Sequence, residues 1–163
     1  MIESTTRLRP AGPEPTAGEV GLRQAVMALC AQADPGELLA ALERIEHGLD
    51  VEDLRRTETG LVMVRGRIGG DGRPFNLGEA TVTRAAVRIA SGETGFAYQL
   101  GRDAPKARHA AILDALWQSE THREAVEAAL GPIRDRLADE CAGAERQTAA
   151  TRVNFFTMVR GED

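Results

Sequence analysis

The chain has 163 residues and a net charge of −5, with 42% hydrophobic but only 4% aromatic residues. That length suits one domain with one core, built on Leu, Val, Ile and Ala. The acidic balance works against non-specific binding to nucleic-acid phosphates or anionic membranes, two cysteines are too few for a disulfide framework, and no apolar run reaches the ~18 residues of a membrane span.

A reducing, cytoplasmic setting is therefore expected, with neither nucleic acid nor membrane as a partner. The first twenty residues carry Pro10, Pro13, Pro15, Gly12 and Gly18 and few apolar side chains. They bury too little surface to offset chain entropy, so 1–20 reads as a disordered tail and 21–163 as a single domain.

Two helices are predicted next. The first runs over 22–33, with Val26, Leu29 and Cys30 on one stripe. Asp34-Pro35 opens the second, with Glu37 at the capping-box position. Leu38, Leu42 and Ile45 form its apolar face, and Gly48 suits its stop.

The period then changes. A weak strand is predicted over 51–57, a turn at Thr59-Gly60, and a strand over 60–68. In the latter Val62, Val64 and Ile68 share one face and Arg65 and Arg67 the other. The stretch 69–74, GGDGRP, reads as a second turn. A long strand over 75–90 sets Val87 and Ile89 against Arg84 and Arg88. After a turn at 91–93, a strand over 94–100 places Phe96, Tyr98 and Leu100 together. Four strands with short links predict an antiparallel meander with one covered face.

Asp103 caps the next helix, with Pro105 in its first turn and Ile112, Ala115 and Leu116 buried. Thr121 and Glu124 make a further capping-box signal. Val126, Leu130, Ile133, Leu137 and Cys141 continue at helical spacing, with a break or kink at Gly131-Pro132. The expected fold class is therefore α+β: a four-stranded antiparallel meander flanked by N-terminal and C-terminal helix pairs.

Chemistry-bearing patterns are sparse. Gly66, Gly69, Gly70 and Gly72 suggest a phosphate loop, but a strand follows and no Gly-Lys-Ser/Thr is present, so a hairpin turn is the better reading. His47, His109 and His122 lie far apart and read as surface residues. Cys30 and Cys141 fall on apolar helix stripes and read as buried thiols. No catalytic residue set, metal site or cofactor is expected.

Two features remain. Arg65, Arg67, Arg73, Arg84 and Arg88, with Arg55 and Arg56, crowd the strand region. Forked guanidinium donors suit phosphate or phosphonate oxygens, or carboxylates on a partner; a solvated polar face is the plainer alternative. Near the C-terminus, Phe155, Phe156 and Met158, with Arg160, make an apolar segment. It suits an anchor on another protein, or docking onto the chain's own sheet.

The segments ETGLVMVRGRIGG (58–70), GEATVTRAAVRI (78–89), LGRD (100–103) and RVNFFTMVRG (152–161) together resemble the PhnG family, the small subunit of the bacterial carbon–phosphorus lyase core complex. The resemblance covers about 25–161. Two departures stand out: the Pro-rich N-terminal tail is long, and Asn154 occupies a position where the family pattern has Asp.

The resemblance implies a role in phosphonate use, with PhnI, PhnH and PhnJ as partners. In that family PhnI, together with PhnG, PhnH and PhnL, displaces adenine from ATP with a phosphonate to give α-D-ribose 1-phosphonate 5-triphosphate. PhnJ then cleaves the carbon–phosphorus bond. The leading expectation is a non-catalytic subunit. The alternatives are a direct ATP or phosphonate contact through the Arg-bearing sheet face, and a free-standing homodimeric ligand-binding domain.

Overall fold

A computed structural model describes residues 16–45, 48–69 and 72–150. Among them are two helices, α1 (Ala17–Gln32) and α2 (Pro35–Ile45), then strands β1 (Val51–Gly66), β2 (Phe75–Ile89) and β3 (Thr94–Leu100). Helices α3 (Ala104–Gln118), α4 (Arg123–Ala129) and α5 (Gly131–Ala150) follow. The α+β class holds. The strand count is three, not four, and three helices follow the sheet rather than a pair.

The strand count changes because Thr59 and Gly60 do not turn. They pair directly with Thr83 and Val82 on β2. Gly60 also lacks the positive φ that a tight hairpin turn requires. The two short strands expected over 51–57 and 60–68 are thus one strand of sixteen residues, laid along a β2 of fifteen. Register shifts between Asp53 and Arg55 and between Arg55 and Glu58 absorb the irregular segment.

α1 begins at Ala17, ahead of the predicted start at Leu22. Thr16 Oγ1 accepts from the Glu19 N–H, and Glu19 accepts from the Thr16 N–H, which closes a capping box. At α2 half of the predicted box forms: Glu37 accepts from the Asp34 N–H at 2.8 Å, while the Glu37 N–H donates to the Asp34 backbone carbonyl. The Thr121–Glu124 box does not form: His122 stands at the N-cap of α4, without a side-chain cap bond. Gly131-Pro132 separates α4 from α5 outright, because Pro132 fits the first turn of a new helix but not the interior of an old one.

α3 is the centre of the molecule. Ala107 and every residue from 110 to 117 are buried. A helix buried nearly all round must lie between layers. It packs on the sheet through β2 and β3 and carries α1, α2 and α4 on its other sides. At Gly95 the approach is so close that a methyl group would overlap the Ala111 carbonyl oxygen and sit 2.6 Å from the Ala115 nitrogen. The sheet side of the core is therefore Gly95, Ala97, Ala85, Val87 and Ile89.

Polar groups fix the layers. Asp114 on α3 is buried and accepts two 2.6 Å bonds from Arg23 on α1, plus one from the Phe96 N–H. Thr83, also buried, donates to the Gly101 carbonyl, so the Thr59 hydroxyl at 3.0 Å is the donor to Thr83. Arg136 on α5 grips both carboxylate oxygens of Glu37 on α2 at 2.8 Å. Beyond that point α5 leaves the body: residues 138–150 include none that is buried. Cys141 is accordingly exposed, against the expectation of a buried thiol, while Cys30 is buried as expected. His109 is half-buried rather than a surface residue.

Candidate functional site

The helices cover one face of the sheet only. Among the described residues nothing covers the other face. Phe96, Tyr98 and Leu100 do share a face, as strand alternation predicts, but it is the bare one. Their exposures are 52%, 62% and 78%. The close packing of α3 on Gly95 explains this, since no large side chain of β3 fits beneath the helix at that point. Arg84 and Arg88 lie on the same bare face, opposite Val87 and Ile89 as predicted. Arg84, Arg55, Phe96 and Tyr98 line a shallow groove there.

Three arginines of this face, Arg55, Arg84 and Arg88, are engaged. Arg84 reaches Glu58 at 2.7 Å, across the strand pair, and that contact raises its pKa further above the ordinary guanidinium value. Arg55 approaches the same carboxylate at 3.4 Å. Arg88 reaches Glu52 at 3.3 Å. An anionic ligand would have to compete with these carboxylates.

The remaining three predicted arginines lie elsewhere. β3 pairs with β2 only from Val82 to Arg88. Residues 61–66 and 75–80 therefore form a two-stranded ribbon that runs beyond the three-stranded body, with Arg65 opposite Asn76 near its end. Arg67 and Arg73 follow just past the paired strands. All three are exposed and have no carboxylate within ion-pair distance among the described residues. From Asn76 to Arg84 is eight residues of strand, about 26 Å. The five arginines thus form two groups, too far apart for one small ligand.

The ribbon carries the second feature, which alternation alone did not reveal. Leu61, Val62, Met63 and Val64 are consecutive, so they supply apolar side chains to both faces. Among the described residues nothing covers them, and no residue of β1 is buried. Leu77 lies across Gly66, where an added methyl would meet its Cδ1 at 2.6 Å. The signal was present in the sequence: a run of four apolar residues marks a strand meant to be buried on both sides.

The LGRD segment has a structural role. Gly101 turns the chain out of β3 with φ 90°, and Asp103 caps α3 by accepting from the Lys106 N–H at 2.8 Å. Phe155, Phe156, Met158 and Arg160, with the whole RVNFFTMVRG segment, lie outside the described residues.

Comparison with known proteins decides the family. The family described as "Phosphonate metabolism protein PhnG" matches residues 22–161. The chain belongs to the PhnG family. A relative from Rhizobium meliloti (strain 1021), named alpha-D-ribose 1-methylphosphonate 5-triphosphate synthase subunit PhnG, is 54% identical over 144 residues, which is 88% of this chain and 92% of the relative. The PhnG match spans α2 to α5 and all three strands whole, and α1 from Leu22 onward. It covers the projecting ribbon as well as the body, so both belong to the family's domain.

Proposed function

We propose that this chain is a non-catalytic subunit of a synthase that makes an α-D-ribose 1-phosphonate 5-triphosphate. One observation carries the reading: the 54% identity to a protein named as a subunit of such a synthase, over nearly the full length of both chains. The structure supports it in two ways. Its buried and half-buried charges are committed to holding the fold, as in Arg23–Asp114 and Arg136–Glu37. Its sheet face and ribbon, which no described residue covers, offer an apolar surface that suits a partner.

Within that reading the partners are PhnI, PhnH and PhnJ, with PhnL joining the reaction, and the assembly works in the cytoplasm. PhnI displaces adenine from ATP with a phosphonate. Phe155, Phe156, Met158 and Arg160 serve as one contact with a partner, and the described helix before them, α5, leaves the body in keeping with this. The test is co-expression of tagged PhnI, PhnH and PhnJ with and without this chain. The chain should copurify, and its omission should abolish adenine release from ATP and methylphosphonate in the presence of PhnL. Full assembly and full activity without it would overturn the reading.

A second reading is favoured by the ribbon arginines. Among the described residues Arg65, Arg67 and Arg73 hold no carboxylate, whereas Arg84 and Arg88 do. If a triphosphate or phosphonate is contacted, the first three are the donors. Arg65→Ala and Arg67→Ala should then raise the apparent KM for ATP or phosphonate while the complex assembles normally. Unchanged kinetics would remove the idea.

A further inference from the structure

Three observations converge on the ribbon of residues 61–66 and 75–80. First, its apolar groups point both ways. Leu61 and Met63 face Thr81 and Glu79 on one side, while Val62 and Val64 face Ala80 and Gly78 on the other. Phe75 and Leu77 add to the exposed apolar surface, Leu77 at 61%. An isolated two-stranded ribbon is marginal in water, and one with apolar groups on both faces is a site of association.

Second, the two edges of the sheet are treated differently. At β3, α3 closes the edge: Asp114 takes the Phe96 N–H, and Gln118 Nε2 donates to the Thr94 carbonyl at 2.8 Å. At β1 no described helix does this along the ribbon, and among the described residues no residue of the strand is buried. An edge left open beside one that is capped is an edge kept for another chain.

Third, the charge is local and opposite to that of the whole. The chain carries −5 overall. The end of the ribbon carries Arg65, Arg67 and Arg73 with no ion-pair partner among the described residues.

We infer that the ribbon inserts into a cleft of another subunit of the synthase, one with apolar walls on both sides and carboxylates at its far end. This rests on the reading of the chain as a synthase subunit. A flat docking surface would need apolar groups on one face only. A second copy of this acidic chain would also present carboxylates, but most of those beside the strands are already held, Glu58 and Glu52 by arginines of the sheet and Asp53 by Arg108.

The test uses the full chain co-expressed with the other synthase subunits, purified through a tag on PhnI. Three variants are compared with wild type: Leu61→Glu with Met63→Glu, Val62→Glu with Val64→Glu, and Arg65→Glu with Arg67→Glu. All six positions are exposed, so each variant should keep the wild-type melting curve and the near-ultraviolet signal of the buried Trp117. Each apolar pair should reduce copurification at least tenfold, and the charge reversal should make the remaining association less stable as well as weaker.

Wild-type stoichiometry in both apolar variants would overturn the inference. Loss with only one of them would replace the cleft by a flat surface. Normal assembly of the arginine variant with a raised KM would assign those side chains to substrate instead and overturn the carboxylate-lined end. A sedimenting homodimer of the isolated chain that the Leu61/Met63 variant dissolves, with heteromeric assembly untouched, would make a second copy the occupant and overturn the inference. Failure of the wild-type chain itself to copurify would remove the subunit reading and this inference together.

Discussion

Arg23 on α1 donates twice to Asp114 on α3, at 2.6 Å to each carboxylate oxygen, while Asp114 also closes the free edge of β3 by accepting from the Phe96 N–H. One buried carboxylate thus joins the first helix, the central helix and the last strand. Removing it leaves a backbone N–H and a half-buried guanidinium without their partner. Asp114→Ala should destabilise the chain by about 3 kcal/mol, since a buried pair broken on one side loses more than a surface pair. Urea denaturation measures this; a change below about 0.5 kcal/mol would mean that solvent replaces Asp114 fully.

Gly95 sets the distance between α3 and the sheet. Gly95→Ala would force the backbone of α3 at Ala111 and Ala115 away from β3. A loss of at least about 2 kcal/mol is expected, because overpacking against backbone cannot be relieved by a rotamer change. Gly66→Ala is the contrasting case, since the group it meets is the Leu77 side chain at the exposed ribbon. It should leave the melting temperature nearly unchanged. Equal effects of the two would contradict the layer arrangement described.

His109 predicts a pH dependence. Burial holds its imidazole below the ordinary value of 6.5, with Arg108 adding to the effect, and its Nδ1 is buried without a hydrogen-bond partner among the described residues. The unfolded chain takes up a proton near pH 6.5 that the folded chain resists. Stability is therefore full above that pH and falls as pH drops toward the folded value. Urea midpoints at pH 7.5 and 5.5 should differ more in wild type than in His109→Leu. The depressed carboxyls of Glu19 and Glu37, held down by the Thr16 backbone and by Arg136, act at lower pH, where their protonation removes stability below about 4.5.

The two cysteines should separate cleanly. Burial pushes the Cys30 thiol up to about 12, whereas Cys141 is exposed on α5. At pH 8 iodoacetamide should label Cys141 and leave Cys30 unmodified until the chain is denatured. Equal labelling of both in the native state would contradict the packing of α1 on the core.

What the sequence carried, it carried through local rules. Alternation put Arg84 and Arg88 opposite Val87 and Ile89, capping residues marked α2 and α3, and Pro132 ended a helix. The misses were non-local. The Thr59-Gly60 turn failed because a fifteen-residue β2 offers a continuous partner for β1, a fact of pairing that no short window contains. The aromatic face of β3 points away from the helices because α3 sits against Gly95, which depends on how two elements meet. Cys141 falls on a helical stripe, but the stripe outlasts the body it packs on. Of the arginines, spacing showed a cluster; only the register showed that a long strand separates Arg65, Arg67 and Arg73 from Arg84 and Arg88.

The most direct test of the account is adenine release from ATP and methylphosphonate, assayed with purified PhnI, PhnH, PhnJ and PhnL, with this chain present, absent, or alone. The account predicts release only when the chain is present with the others, and none from the chain by itself. Release by the isolated chain, or undiminished release when it is left out, would contradict the assignment as a non-catalytic but required subunit.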